Sequence, residues 1–151
     1  MTISFRSARP DDFDYCASLY FAEMERSAGA VSDGARAGLE TRWNVDQVRI
    51  LVRAGKDIGW IQWAMRPKAR ELVQFFVEER LRGQGLGRDV MKRLIAEADA
   101  DGLPIALSVV KTSPARRLYE RLGFRIVGED DRKFHMRRGS ATAVKAEDLQ
   151  N

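Results

Sequence analysis

The stretch Val77-Glu78-Glu79-Arg80-Leu81-Arg82-Gly83-Gln84-Gly85-Leu86-Gly87-Arg88-Asp89-Val90 joins a run of strand-like alternation to a run of helical spacing. Glycine costs a helix about 0.5–1 kcal/mol per residue relative to alanine, so Gly83, Gly85 and Gly87 at a helix start require a compensating reason. Close approach of backbone to a ligand supplies one. The first turn of a helix carries unpaired N–H groups and a partial positive charge, which together suit phosphate oxygens. Arg80, Arg82, Arg88, Lys92 and Arg93 add positive charge around the same opening. A P-loop is excluded, because it needs a Gly-Lys-Ser/Thr end and Gly83 leads instead to Asp89. A dinucleotide fingerprint fails twice. The third glycine comes one position early, and the next strand ends at Val110-Lys111 where that motif places an acidic residue.

Outward from this junction, Leu86, Val90, Met91, Leu94, Ile95 and Ala98 line one face of a helix. Gly102 and Pro104 end the connection, and Ile105 to Val110 reads as a nearly continuous apolar strand of the kind buried on both faces. Strand, crossover helix and strand predict a parallel pair with a right-handed crossover. On the other side, Val48, Ile50 and Val52 alternate with polar residues, Gly55-Lys56 predicts a hairpin turn, and residues 58–65 and 72–77 follow as strands of an antiparallel meander. Nearer the N-terminus, a strand at Ile3 and Phe5 stops at Pro10. Asp11 or Asp12 caps a helix whose buried face is Phe13, Ala17, Tyr20 and Met24. A loop over residues 27–33 and a shorter helix over residues 35–43 precede the meander. Beyond the apolar strand, Thr112 or Ser113 is the expected N-cap of a short helix with Pro114 in its first turn. Gly123 supplies its left-handed end, and residues 124–127 and 133–137 form a final hairpin. The pattern describes one α/β domain over residues 1–138, a twisted mixed sheet of about six to seven strands with about four helices. Residues 139–151 lack apolar periodicity and are expected to be disordered.

Composition narrows the class without choosing a function. A chain of 151 residues buries about 68–70% of its unfolded surface, enough to hold a core without staples. Cys16 is the sole cysteine, so no disulfide framework exists, and a reducing, cytoplasmic setting is expected. Arg6, Arg9, Asp11 and Asp12 leave no apolar leader, and no run approaches a membrane span. The 26 Lys and Arg against 22 Asp and Glu leave a net charge of +4, but 32% charged residues of both signs describe a solvated surface rather than a nucleic-acid binder. His135 alternates with Phe134 and Met136 and reads as an exposed edge-strand residue. With one His and no Ser in a nucleophile motif, neither a metal site nor a catalytic triad is expected. Trp43, Trp60 and Trp63 suit core positions better than an acceptor cleft.

The loop, reduced to its spacing, is Arg/Gln-x-x-Gly-x-Gly/Ala, and a second motif follows one helix and one strand later: Ala115-Arg116-Arg117-Leu118-Tyr119-Glu120-Arg121-Leu122-Gly123-Phe124. In this order the two resemble the GNAT superfamily of acyl-CoA-dependent N-acetyltransferases, over residues 48–138. The sequence departs from the family pattern in having Thr112-Ser113 where the second motif often begins with Asn, and Glu79 where a Pro is common. The resemblance implies a GNAT fold whose fourth and fifth strands diverge to admit acetyl-CoA. It implies pyrophosphate held by Arg82, Gly83, Gln84, Gly85, Leu86, Gly87 and Arg88, and pantetheine beside Phe75, Phe76 and Val77. It places further cofactor contacts at Ser113 and Arg116, and a general acid at Tyr119 that protonates the departing CoA sulfur. That role is chemically consistent, since a thiol near pKa 8.5 leaves readily and a phenol near 10 is still protonated at neutral pH. The implied acceptor is a small-molecule or protein amine, which must lose a proton. Glu71, Glu78 and Glu79 are the carboxylates available, with Glu71 preferred. A homodimer stays open, as does the alternative of a non-catalytic CoA-binding or basic interaction domain on the same fold.

Overall fold

The structure, a computed structural model, describes residues 2–29 and 31–139. Among these, the strands are β1 (Ser4–Ser7), β2 (Val48–Arg53), β3 (Lys56–Met65), β4 (Arg70–Val77), β5 (Ile105–Val110), β6 (Arg125–Glu129) and β7 (Lys133–Arg138). The helices are α1 (Phe13–Ala28), α2 (Ala35–Arg42), α3 (Leu86–Ala100) and α4 (Ala115–Arg121). The strands form one mixed sheet in the order β1-β2-β3-β4-β5-β7-β6. The expected disorder of the tail falls, from residue 140 on, outside the described residues. No described helix is long and apolar enough to cross a membrane.

The chain divides into two compact units: residues up to Trp63 with Gln74–Leu86, and Ala64–Val73 with the residues from Gly87 onward. In the first, α1 packs on β2 and β3 around Cys16, Val48, Ile50 and Trp60, with Tyr15, Leu19, Tyr20, Trp43 and Phe76 against them. The deepest positions of α1 are Cys16 and Ala17, whereas Phe13 and Met24 are only half-buried. The helical stripe is therefore rotated toward Cys16 relative to the sequence expectation, because the Phe13 ring turns edge-on to Trp43 with centroids 5.4 Å apart. Entry into α1 is fixed by charge. Both terminal nitrogens of Arg6 donate to Asp12 at 2.9 Å, Asp57 accepts from the same guanidinium at 2.9 Å, and the Arg9 N–H donates to Asp12 at 2.8 Å. The Arg6 hydrogen bonds hold the Asp12 carboxyl below the usual aspartate range.

The β2–β3 hairpin turns at Ala54-Gly55, with Arg53 opposite Lys56, one residue earlier than the expected Gly55-Lys56 turn. Both turn residues have positive φ, +53° at Ala54 and +76° at Gly55, the geometry whose twist matches the flanking strands. Alanine carries no sequence signal for that conformation.

In the second unit, β4 and β5 pair in parallel at Arg70↔Ile105, Glu71↔Ala106 and Leu72↔Leu107. The apolar face of α3 buries Val90, Met91, Leu94 and Ala98. β7 lies antiparallel to β5 from Ile105↔Arg138 to Val110↔Lys133, and β6 pairs with the other side of β7. The last two strands do form a hairpin, but the returning strand inserts between β5 and β6. His135 therefore stands on an interior strand, which corrects the edge assignment. The short α4 ends where the Phe124 N–H donates to the Tyr119 carbonyl at 3.0 Å, with Gly123 at φ +97° and Arg138 Nε donating to the Leu122 carbonyl at 3.0 Å.

Two stability measurements check these features. Asn tolerates the left-handed region better than Ala, so Ala54→Asn should stabilise the hairpin by about 0.5–1 kcal/mol and raise the melting temperature by about 1–4 °C. Asp12→Asn should cost about 2–3 kcal/mol at neutral pH, because it removes charged acceptors from Arg6 and the Arg9 N–H. A depressed folded-state value stabilises above the unfolded value and is lost on acidification. The gap to wild type in denaturant melts should therefore close as pH falls below about 4.

Candidate functional site

The site is built where β4 passes into α3. β4 ends at Val77, the Glu78 N–H donates to the Ile58 carbonyl at 2.9 Å, and a single 3-10 turn over Glu79–Leu81 seats Leu81 in the interior. The chain then opens. Gly83 and Gly85 have φ of +77° and +79°, and a Cβ built on either would meet nothing within 4 Å. Positive-φ residues alternating with others are the conformation in which successive backbone N–H groups can converge on an anion. Leu86 closes the junction by burying its side chain and starting the 15-residue α3. The positive φ values are the physical reason for glycine at 83 and 85. Gly87 differs: it lies inside the helix without a positive φ, and a Cβ there would make only an ordinary contact with the Leu118 side chain of α4 at 3.4 Å, so neither conformation nor space demands glycine.

The floor beneath the end of β4 is aromatic. Trp60 stacks on Phe76 with centroids 5.3 Å apart and 29° between planes, and Tyr20 meets Phe76 edge-on at 5.6 Å. This packing requires β3 and β4 to approach closely at Gly59, where a Cβ would stand 2.2 Å from the Phe76 carbonyl oxygen and 3.0 Å from the Val77 Cα. An isolated Gly inside a strand pattern is a sign of close backbone approach, and Gly59 carries that signal in the sequence.

Charged side chains tie the junction to α1. Arg82 donates from Nε and a terminal nitrogen to the Val77 carbonyl at 3.4 Å, and its other terminal nitrogen pairs with Glu23 at 3.0 Å. Arg26 pairs with Glu79 at 3.1 Å. Tyr15 donates to Glu78 Oε1 at 3.2 Å while Arg80 holds Oε2 at 2.9 Å. Burial, then the Glu78 charge, pushes the Tyr15 phenol up. Cys16 is wholly buried and its thiol is pushed up to about 12, chiefly by desolvation, which removes it as a nucleophile.

The other expected residues lie in the second unit. Tyr119 is buried on α4, its ring 5.7 Å from that of Phe124, and burial raises its phenol to about 12. Ser113 accepts from the Ala115 N–H at 3.1 Å and so starts α4, as its sequence position implied. Arg116 lies over the Phe134 ring at 5.1 Å from the centroid, and Arg88 is exposed on the first turn of α3. Glu71 is half-buried in the part of β4 that pairs with β5, and Arg66 holds its carboxylate at 2.9 Å. The chemistry on offer is thus an anion cradle of backbone amides at the head of a helix, and a desolvated phenol that stays protonated at neutral pH.

A family model described as an acetyltransferase (GNAT) domain matches residues 35–137. No curated protein sequence matches the chain. Among solved structures, the chain is similar to a paia N-acetyltransferase from Thermoplasma acidophilum in complex with coenzyme A. The TM-score is 0.73 at 14% identity, covering 92% of this chain and 99% of that one. It is similar to the ribosomal-protein-S18-alanine N-acetyltransferase from Escherichia coli with a TM-score of 0.69 at 19% identity, covering 91% of this chain and 94% of that one. For N-acetylglutamate synthase from Neisseria gonorrhoeae, complexed with coenzyme A and N-acetyl-glutamate, the TM-score is 0.68 at 18% identity, covering 92% of this chain and 35% of that one. At these identities the likeness is one of fold.

The close approach at Gly59 is open to test with a paired substitution. Gly59→Ala drives a Cβ into backbone and should cost about 2–3 kcal/mol in denaturant melts. Gly38→Ala in α2 meets only the flexible end of Arg42 at 3.3 Å and should gain about 0.5–1 kcal/mol from helix propensity.

Proposed function

Since the chain belongs to the GNAT acetyltransferase family, acyltransferase enzymes whose cosubstrate is acetyl-CoA, we propose that its reaction is direct attack of an amine acceptor on the acetyl carbonyl, with Tyr119 as the acid for the CoA sulfur. Residues 1–138 act in this reading as one acetyltransferase domain. The observation that carries it is the β4–α3 junction, where Gly83 and Gly85 adopt left-handed φ beside open space immediately before a helix start. Arg82, Gly83, Gln84, Gly85, Leu86, Gly87 and Arg88 take the pyrophosphate, mainly through backbone N–H groups. Arg82, already shared between Glu23 and the Val77 carbonyl, contributes charge only as far as phosphate oxygens displace those partners. Phe76 and Val77 line the pantetheine arm, and the stacking of Phe76 on Trp60 makes that wall rigid. Ser113 and Arg116 reach the cofactor from the start of α4.

The Tyr119 phenol at about 12 lies well above a thiol near 8.5. Full proton transfer to the thiolate is therefore uphill, and the phenol acts chiefly by donating a hydrogen bond to sulfur as negative charge develops there. An ammonium acceptor near pKa 10.4 must also give up a proton before it attacks. Glu71 is engaged by Arg66, so its part as the base depends on that ion pair opening.

An acceptor screen that follows CoA release finds the amine, and Tyr119→Phe then tests the acid. The substitution removes a hydroxyl and keeps the ring, so stability should change little. Turnover should fall roughly ten- to a hundredfold, with acetyl-CoA affinity by calorimetry unchanged within about twofold, the pattern of an interaction made mainly in the transition state. Wild-type turnover in that variant removes Tyr119 from the mechanism, and lost affinity makes it a binding residue. Because the folded-state phenol is raised, its ionisation should cause no fall in rate up to about pH 10.

A further inference from the structure

On β5 and β7 the side chains alternate between two faces. Leu107, Val109 and Met136 are buried on one, while the other carries Ser108 opposite His135, Val110 opposite Lys133 and Ala106 opposite Arg137. On this second face the Ser108 hydroxyl lies 2.7 Å from His135 Nδ1. The other ring nitrogen, Nε2, lies 3.3 Å from Asp130 Oδ2. Asp130 is itself fixed: Oδ1 accepts from the N–H groups of Arg132 and Lys133, each at 2.8 Å, which leaves Oδ2 for the imidazole. Those turn amides hold its carboxyl below the usual range, so it is an anion at neutral pH. A carboxylate facing Nε2 keeps the ring proton there and leaves the Nδ1 lone pair to accept the serine O–H. β6 places Gly128, with no side chain, directly opposite His135. Nucleophile, base and orienting acid are thus in contact in the order that activated serines require. None of the three belongs to the glycine loop or to α4.

We propose that Ser108, His135 and Asp130 form a second acyl-handling site, in which Ser108 is a nucleophile toward small acyl esters and thioesters. Ser108 Oγ bonds to the acyl carbonyl carbon as its proton passes to His135 Nδ1. The C–O or C–S bond of the substrate breaks, and the leaving alkoxide or thiolate takes that proton. Water then attacks the acyl-serine with His135 as base, the proton returns to Ser108 Oγ, and a carboxylic acid is released. Lys133 and Arg137 stand diagonally across from Ser108 on the same face, within reach for long side chains. Their charge favours the oxyanion that forms at the carbonyl. The side chains of His135 and Asp130 are 43% and 54% exposed, so the class of substrate is a short acyl group on a good leaving group, met from solvent.

The test uses the full chain with p-nitrophenyl acetate and no CoA, following p-nitrophenolate release and locating the acetyl group by peptide mass spectrometry. The acetyl group should be found on Ser108. Ser108→Ala should remove it and lower release at least about tenfold, and His135→Gln should do the same. Asp130→Asn, which keeps an oxygen for the turn amides but loses the charge, should lower release by several-fold. Ser108→Cys, a thiol in the same place, should still be acylated at position 108. Release unchanged in a Ser108→Ala variant with a wild-type melt, or acetyl groups found only on lysine or tyrosine, overturns the proposal.

Discussion

The contact on which the site depends is the approach of Gly59 on β3 to the Phe76 carbonyl on β4, a distance that leaves no room for a Cβ. With a side chain at 59 the two strands would have to part by more than an ångström, and interiors at crystal-like density do not absorb such a shift locally. Three features follow from the contact. Phe76 comes flat against Trp60, the Glu78 N–H reaches the Ile58 carbonyl, and the chain leaves β4 in a direction that lets a single 3-10 turn bury Leu81 before the glycines begin. β4 pairs with β5 only from Arg70 to Leu72. It is β3 that holds the far end.

Electrostatics around the junction is arranged as a set of exchanges rather than as stored binding energy. Arg82 and Arg26 are paired with Glu23 and Glu79 across solvent-exposed distances of about 3 Å, and such pairs contribute at most about 1 kcal/mol each. A phosphate group can take their place at little cost. Backbone N–H groups need no such exchange, so in the proposed function the glycines rather than the arginines form the core of the anion site. Tyr119 follows the opposite logic: it is buried, and desolvation holds its proton in place, which is what the proposed acid role asks of it.

Much of this was legible in the chain itself, where local chemistry forces a local answer. The three glycines, the 3.6-residue face of α3 and the Ser113-Pro114 start of α4 stand where spacing placed them, and β5 keeps its range although only one of its faces is buried, with Ser108 and Val110 exposed on the other. What escaped has a common origin in contacts between residues far apart in sequence. Ala54 adopts a left-handed turn because Arg53 and Lys56 pair, although alanine gives no local cue. β7 slips between β5 and β6, a choice made by strand pairing and not by the hairpin alone, and it carries His135 from a supposed edge to a place beside Ser108. Cys16 takes the deepest position of α1 because Phe13 turns toward Trp43. The ion pair between Arg66 and Glu71 spans the turn between two strands and was invisible as long as Glu71 was judged only by its position on β4.

The proposed hold of the β4–α3 backbone N–H groups on the pyrophosphate of acetyl-CoA is read directly by amide NMR. On titration of the isotope-labelled protein with acetyl-CoA, the largest and saturable shifts are expected at the amides of Gly83, Gly85 and Gly87, with the same shifts produced by CoA lacking the acetyl group. Saturable binding that leaves those amides unmoved while shifting resonances elsewhere would contradict it.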